Sequence, residues 1–189
     1  MNDPMGIRNR PPKNNLESAV ERKRAPLFFT PSATKLLVMT VVTFGMYNFY
    51  WFYKNWVYVK QRTAQSIMPF WRALFSWLWA YSLFEEINNS AVAYSVGQTL
   101  PAGSLAILYF ASGFLWKLPD PHWLVGWVGL IPVLYANSVA MAVNLRVDTS
   151  QPINTRFSVV NCVAVFIGGV LWALIFVGVV RFRTDHLIV

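Results

Sequence analysis

Two adjacent carboxylates, Glu85 and Glu86, are the side chains of this 189-residue sequence most able to do chemistry. They lie near the end of an apolar run, 70–88, in which Arg72 is the third residue. If the run is a membrane helix with Arg72 at one interface, Glu85 lies about 20 Å along it, in the outer third of a hydrocarbon core about 30 Å thick. An ionised carboxylate at that depth is costly unless it is paired, solvated or protonated.

Amide side chains and one arginine supply candidate partners for these carboxylates. Asn137 and Asn144 share one face of a predicted helix, which is typical of hydrogen bonds between helices. Arg146 is a cation predicted on the far side of the membrane, so we expect Glu85 or Glu86 to pair with it. The candidate polar site comprises Glu85, Glu86, Asn88, Asn137, Asn144 and Arg146. One interpretation is that these residues form a proton or cation relay. The other, which the sequence favours, is that the helix is short or tilted, so that both carboxylates lie at the outer interface.

The composition indicates which solvent surrounds most of the chain. Apolar residues make up 56% of it and charged residues 13%, about half the roughly 25% of soluble domains. Charge-free runs cover residues 36–53, 87–116, 121–145 and 157–180. A soluble globule is not expected, because so little charge cannot coat a water-facing surface.

Five apolar segments are separated by polar or charged connections. They cover roughly residues 35–53, 70–88, 102–117, 122–143 and 157–180. The sequence therefore predicts an all-α fold, a polytopic transmembrane helical bundle with four to five membrane segments. We expect Pro132 to kink the fourth segment. In the fifth, the small residues Ala164 and Gly168, and likewise Gly169 and Ala173, are four apart, a spacing that predicts a close-packing helix face.

The distribution of lysine and arginine indicates whether the first segment crosses the membrane. If all five segments cross, the cytoplasmic and far sides hold nine and seven basic residues. If the first segment returns to its own side, the counts become 14 and two, as the positive-inside rule prefers. We therefore expect four crossings, a re-entrant or shallow first segment and a cytoplasmic N-terminus, although the first segment is just long enough to cross. Thr40, Thr43, Gly45 and Asn48 suit a broken helix there.

The sequence divides into a basic tail, a membrane domain and a short end. Residues 1–33 are polar, basic and rich in proline, which predicts a disordered cytoplasmic tail rather than a signal peptide. Residues 34–183 form the predicted transmembrane domain, and residues 184–189 form a short C-terminal tail. The net charge is +8, and seven of the 16 basic residues precede the first apolar run. No nucleic-acid recognition motif accompanies this charge, so we expect contact with anionic headgroups and no nucleic-acid partner.

The first apolar segment carries the motif T-x-G-x-Y-x-x-Y-W. Its members are Thr43, Gly45, Tyr47, Tyr50 and Trp51. The motif resembles a signature of an uncharacterised bacterial integral-membrane family, a domain of unknown function, and the resemblance covers residues 35–145. It implies a protein of the bacterial cytoplasmic membrane and implies no substrate, cofactor or catalytic residue. Independently of the resemblance, the glycine suits close backbone approach, and the aromatic residues suit a belt at the headgroup level.

The sequence lacks the common signatures of enzymes. It contains no G-x-S-x-G, P-loop or dinucleotide-binding motif, and it has two histidines and one cysteine. We expect no catalytic, cofactor or metal site, and a non-enzymatic accessory or envelope-associated protein that contacts lipid or another membrane protein. One alternative is a transporter or channel for protons or a small solute that uses Glu85 and Glu86. A second is a membrane-bound lipid-modifying enzyme, for which no interfacial cluster of polar residues can be assembled.

Overall fold

The computed structural model describes residues 26–63, 65–115, 117–119, 122–148, 154–155 and 158–187. Its helices are α1 (Ala33–Val42), α2 (Met46–Thr63), α3 (Pro69–Leu74), α4 (Ser76–Ala93), α5 (Ala102–Leu115), a 3₁₀ helix (His122–Gly129), α6 (Leu130–Val147) and α7 (Val159–Leu187). The all-α part of the predicted fold is confirmed. Helix α7 passes the boundary expected after residue 183, and residues 1–25 of the predicted tail lie outside the described residues.

In the part of the chain that the structure describes, two helical stretches are long and apolar enough to cross a membrane. One is Leu124–Val147, with 24 residues and 50% burial, and the other is Asn161–Gly178, with 18 residues and 6% burial. Helices α1 and α5 are apolar but only 10 and 14 residues long. These lengths support membrane association, whereas a bundle with four or five crossings stays a proposal.

The first apolar segment is broken between α1 and α2, as its threonine and glycine residues predict. The backbone turns through Phe44 at φ 50° and Gly45 at φ 88°, in the left-handed region. The Thr43 hydroxyl donates to the Met39 carbonyl at 2.6 Å and accepts from the Tyr47 amide at 2.9 Å. One side chain therefore caps the end of α1 and the start of α2.

Replacing Thr43 by valine keeps the shape of the side chain and removes its hydroxyl. We expect a loss of about 2 kcal/mol in the free energy of unfolding, because the Tyr47 amide loses its acceptor at the start of α2. Thermal unfolding in detergent measures the effect, and Thr43→Ser should restore most of the stability. Equal unfolding midpoints for the valine variant and the wild-type protein would show that Thr43 does not cap the helices.

Helices α2 and α4 run in the same direction. Asn48 and Ser76, near the starts of the two helices, lie 3.0 and 3.1 Å from the hydroxyl oxygen of Tyr109. Further along, the guanidinium of Arg62 on α2 forms an ion pair with Glu86 on α4, at 2.6 Å. Arg62 and Glu86 therefore lie at the same level of the bundle.

The connection between α2 and α4 explains this arrangement. Residues 65–75, including α3, double back along α2, so that the ring of Phe70 packs edge-on against Phe49 at 5.9 Å between centroids. The chain thus returns to the start of α2 before α4 begins. This connection therefore joins two parallel helices.

We call the two ends of the bundle the Arg62 end and the Lys117 end, after a basic residue at each. At the Arg62 end, the Arg62 guanidinium lies 3.5 Å from the Leu27 carbonyl, and the Leu27 amide donates to Asn144 near the end of α6. At the Lys117 end, the helix break, the start of α4, the end of α5 and the start of α6 surround one cavity. Asn48 and Arg62, which mark the two ends on α2, are about 21 Å apart at 1.5 Å per residue.

The fourth apolar segment contains two kinds of helix instead of one kinked helix. The 3₁₀ helix His122–Gly129 comes first, and α6 begins at Leu130. Pro132 therefore lies in the first turn of α6, where its missing N–H has no intrahelical partner to lose, so the expected kink is not needed. Gly129 at the junction packs closely on α5, because an added Cβ would lie 2.2 Å from the hydroxyl oxygen of Ser112.

Helix α7 contacts the bundle through a short stretch against α1. An added Cβ at Gly168 would lie 2.1 Å from the carbonyl oxygen of Val42, so the close packing predicted for this glycine is confirmed. An added Cβ at Gly169 would meet nothing within 4 Å, so the close packing predicted there is wrong. The indole of Trp172 donates to the Val41 carbonyl at 3.1 Å and stacks on the ring of Phe44 at 4.8 Å. Most of the other described side chains of α7 are exposed.

Candidate functional site

Asparagine side chains on α2 and α6 hold an extended stretch of chain, residues 27–31. We call this feature the amide groove, and its members are Asn55, Asn137 and Asn144. The Asn144 carbonyl accepts from the amides of Leu27 and Phe28 at 2.9 and 3.1 Å. Its side-chain nitrogen donates to the Phe28 carbonyl at 2.8 Å and to the Thr30 hydroxyl at 3.1 Å. Four hydrogen bonds therefore tie the end of α6 to this stretch.

The other two asparagines hold the second half of the stretch. Asn55 accepts from the Phe29 amide at 3.1 Å and donates to the Phe29 carbonyl at 3.3 Å, as a residue on a neighbouring β-strand would. Asn137 donates to the Pro31 carbonyl at 2.8 Å and accepts from the indole of Trp51 at 3.0 Å. Side-chain amides thus supply the partners that buried backbone groups require.

The amide groove makes residues 26–33 part of the bundle. Phe28 is 1% exposed, and the guanidinium of Arg62 lies 4.8 Å from the centre of its ring. The boundary between tail and membrane domain, expected after residue 33, therefore falls too late. Residues 27–31 belong to the bundle because the side chains of distant asparagines form the hydrogen bonds that water would form with the backbone of a solvated tail.

The five motif residues build the helix break and its surroundings. Thr43 and Gly45 form the break itself. Trp51 is 0% exposed, so the expectation that it belongs to a headgroup belt is wrong, and its indole instead joins α2 to Asn137. Tyr47 is buried and Tyr50 is 41% exposed, and both line a cavity beside α7. The motif therefore has a structural explanation.

The tyrosine-lined cavity has a volume of about 590 Å³ and lies between α1, α2 and α7. Lys35, 4% exposed, lies in its wall and donates to the side-chain oxygen of Asn154 at 2.8 Å. Asn161 and Ser158 also line it. Asn161 thus lines the same cavity as Lys35.

The structure does not bring the two carboxylates to Arg146. Glu86 pairs with Arg62 instead, and Arg146 is exposed, so the predicted pair is wrong. Glu85 is exposed and accepts a hydrogen bond from the hydroxyl of Tyr81 at 3.1 Å. The two neighbouring carboxylates thus have separate partners on α2 and on their own helix.

The three asparagines of the candidate polar site hold chain segments rather than lining one route. Asn88 accepts from the Leu100 amide at 3.0 Å and so fixes the connection into α5. Asn137 and Asn144 belong to the amide groove. The predicted hydrogen bond between helices is present at Asn137, which accepts from Trp51 on α2, whereas the partners of Asn144 belong to the stretch 27–31.

Because both carboxylates have local partners, we expect no proton movement that depends on them. The double variant Glu85→Gln, Glu86→Gln should show the proton flux of the wild-type protein in liposomes that contain a pH indicator. The Arg62 and Glu86 side chains are 25% and 33% exposed, so losing their pair should cost about 1 kcal/mol or less. A flux that falls on substitution would restore the relay hypothesis.

A second cavity of about 590 Å³ lies at the Lys117 end, and we call it the break cavity. The Asn48 side chain donates to the Tyr109 hydroxyl at 3.0 Å, and the Ser76 hydroxyl lies 3.1 Å from the same oxygen. Thr40 and Ser112 complete its polar lining. Aromatic rings cover much of the remaining wall, namely Phe44, Trp77, Phe110, Phe114 and Trp127.

Reasoning from the sequence missed this polar lining. The sequence marks Thr40 and Asn48 only as residues of a broken helix. Tyr109 and Ser112 stand in an apolar segment without a neighbouring charge or motif. Their convergence depends on α2 and α4 running in the same direction, which the connection at residues 65–75 determines.

The described part of the chain offers no metal site. Among those residues, no group of three or more histidine, cysteine, aspartate or glutamate side chains is placed to hold a metal ion. Comparisons with protein-family models, with curated proteins and with solved structures found no match. The resemblance carried by the motif around Gly45 therefore stays a prediction.

Proposed function

We propose that this chain is a polytopic integral protein of a bacterial cytoplasmic membrane with a non-enzymatic accessory role exercised through contacts with lipid. The observation that carries the proposal is α7, whose stretch Asn161–Gly178 is 6% buried. Phe166 and Phe176 on this helix are 73% and 71% exposed. Continuous apolar surface of this length is rare on proteins in water and suits hydrocarbon.

Apolar side chains elsewhere on the bundle support the same surroundings. Each of the seven α-helices in the described part exposes a large apolar side chain, among them Leu37, Met46, Trp71, Trp77, Ile107, Ile131 and Phe166. The guanidinium of Arg72 lies 4.5 and 4.4 Å from the ring centres of Trp56 and Trp79. An arginine between two indoles is stabilised by cation–π contacts.

We place the Arg62 end on the cytoplasmic side. The chain enters the bundle there from its basic N-terminal region, and Arg62 lies beside Leu27. Lys60 and Arg146, close to the ends of α2 and α6, add further positive charge at this end. The positive-inside rule favours this orientation. Helix α7 then leads the chain toward the Lys117 end.

A scan of single cysteines in cells tests the membrane location and the orientation. In a Cys162→Ser background, Thr63→Cys and Arg146→Cys should react with a membrane-impermeant maleimide only after the cytoplasm is opened. Leu118→Cys should react from outside intact cells. Carbonate washing should leave the protein in the membrane pellet. Release by carbonate, or reaction of all three positions from one side, would contradict the proposal.

Neither alternative function gains support from the geometry. A relay would need carboxylates that face a shared polar route, whereas Glu85 and Glu86 have separate local partners. A lipid-modifying enzyme would need a general base near a nucleophile. The lining described for the break cavity contains hydroxyls and amides around Tyr109 but no carboxylate or histidine. We therefore propose neither.

A further inference from the structure

We propose that the break cavity binds one anionic phospholipid whose headgroup carries hydroxyl groups. This inference deepens the proposed contact with lipid and rests on it. The cavity volume of about 590 Å³ lies within the roughly 300–1,000 Å³ of small-molecule sites. Three features select the ligand, namely unpartnered polar atoms in the wall, a row of aromatic rings and a cation at the rim.

Unpartnered polar atoms in the wall select a headgroup with hydroxyls. Asn48 Oδ1 and Thr40 Oγ1 are buried and have no hydrogen-bond partner among the described residues, and Thr40 is 3% exposed. Each such atom costs about 1–3 kcal/mol when left unsatisfied. Reversing the Asn48 amide does not remove the deficit, since one end still serves Tyr109 and the other end then lacks a partner. A hydroxyl both donates and accepts, so it satisfies either orientation.

The polar lining is held in place before any ligand arrives. The Tyr109 hydroxyl is fixed between Asn48 and Ser76, which belong to α2 and α4. The hydroxyl of Ser112 donates to the Tyr109 carbonyl at 2.6 Å on the same helix. Groups held on three helices do not have to be ordered on binding, which lowers the entropic cost.

The aromatic row selects an acyl chain. Phe110 packs against Trp77 at 5.7 Å and against Phe114 at 5.3 Å between ring centroids. These three side chains are 38%, 46% and 57% exposed, so the row faces outward from the cavity. In a membrane protein that surface meets lipid, and an acyl chain bound along it continues into the bilayer.

The cation at the rim selects negative charge. Lys117 follows the end of α5, is exposed and lines the cavity. Its ammonium attracts a phosphate, and no acidic side chain stands among the residues that line the cavity in the described part of the chain. A choline headgroup would bring a second cation toward Lys117 and would offer no donor to Asn48. The geometry therefore favours phosphatidylglycerol over phosphatidylcholine.

Native mass spectrometry of the full chain in detergent tests the inference. Titration with phosphatidylglycerol should give one retained lipid per chain, with at least tenfold tighter binding than phosphatidylcholine. Gly113 lines the cavity and an added Cβ there meets nothing within 4 Å, so Gly113→Leu should occupy part of the cavity and weaken phosphatidylglycerol binding at least tenfold. Gly103→Leu, on the same helix and equally open, is the matched control and should bind as wild type.

Two further variants examine the charge. Lys117→Gln should reduce the preference for phosphatidylglycerol, whereas Lys60→Gln, an exposed lysine on α2, should leave it unchanged. Equal affinities for the two lipids, or wild-type binding by Gly113→Leu, would overturn the inference and indicate ordinary boundary lipid. If glycerol 1-phosphate displaced the lipid, the ligand of the cavity would be a soluble phosphate ester and not a phospholipid. Because the assay uses detergent, failure of the proposed membrane location would not affect its outcome.

Discussion

Replacing Asn144 by alanine should lower the free energy of unfolding by about 4 kcal/mol. The change leaves the amides of Leu27 and Phe28 and the carbonyl of Phe28 without their side-chain partner, and each buried unsatisfied group costs about 1–3 kcal/mol. For a chain of this size, the unfolding midpoint should fall by roughly 8–16 °C. Thermal unfolding in detergent, followed by circular dichroism, measures the effect.

The matched control for this prediction is Asn89→Ala, which removes an exposed asparagine from α4. Its midpoint should lie within about 1 °C of the wild-type value, because surface substitutions usually have small effects. Hydrogen exchange adds a local readout, since the Leu27 and Phe28 amides should exchange faster only in the Asn144 variant. Unchanged exchange at both amides would mean that the amide groove does not hold residues 27–31.

Replacing Gly168 by valine should separate α7 from α1. A Cβ at this position would lie 2.1 Å from the carbonyl oxygen of Val42, and a backbone atom cannot move aside as a flexible side chain can. Forced overpacking of this kind costs about 3 kcal/mol, and the shift also disrupts the hydrogen bond of Trp172 to Val41. We expect the unfolding midpoint to fall by roughly 6–12 °C.

The neighbouring glycine provides the control for helix propensity and hydrophobicity. An added Cβ at Gly169 meets nothing within 4 Å, so Gly169→Val places the same side chain on the exposed face of α7. This variant should unfold at or above the wild-type temperature, because valine is a better helix residue than glycine. Similar losses in the two variants would show that the contact with Val42 does not determine the effect.

The sequence predicts the helical fold and several local features for identifiable reasons. The charge-free runs predict helices, and Thr43 and Gly45 predict the break because one supplies a cap and the other tolerates a positive φ. Gly168 predicts close packing because the absence of a side chain lets a backbone approach. Each of these inferences depends on residues close together along the chain.

The arrangement of the polar groups could not be predicted in the same way. The pairing of Glu86 with Arg62 depends on the path of residues 65–75, which contains a six-residue helix and no strong local signal. The amide groove joins residues 116 positions apart, Phe28 and Asn144. Leu27, Phe28 and Phe29 form a short apolar run in the N-terminal region, but no local pattern indicates which distant side chains hold it. Both outcomes depend on contacts between residues that are far apart along the chain.

The break cavity and the amide groove lie toward opposite ends of α2 and have different consequences. At the Arg62 end, the side chains of Asn55, Asn137 and Asn144 hydrogen-bond to the backbone of residues 27–31 and fix its position. At the Lys117 end, Asn48 and Thr40 retain unmet hydrogen-bonding capacity beside an open, aromatic cavity. Polar groups without partners in a preformed cavity are where a ligand gains most from binding.

The central claim is that hydrocarbon surrounds α7, and nitroxide accessibility in lipid vesicles tests it most directly. One label is attached to the native Cys162, and others to cysteines at Phe166 and Leu174 in a Cys162→Ser background, all of them exposed positions on α7. The account predicts faster relaxation by oxygen, which concentrates in the bilayer, than by a water-soluble nickel chelate at all three positions. Dominant relaxation by nickel at Phe166 and Leu174 would place α7 in water and contradict the account.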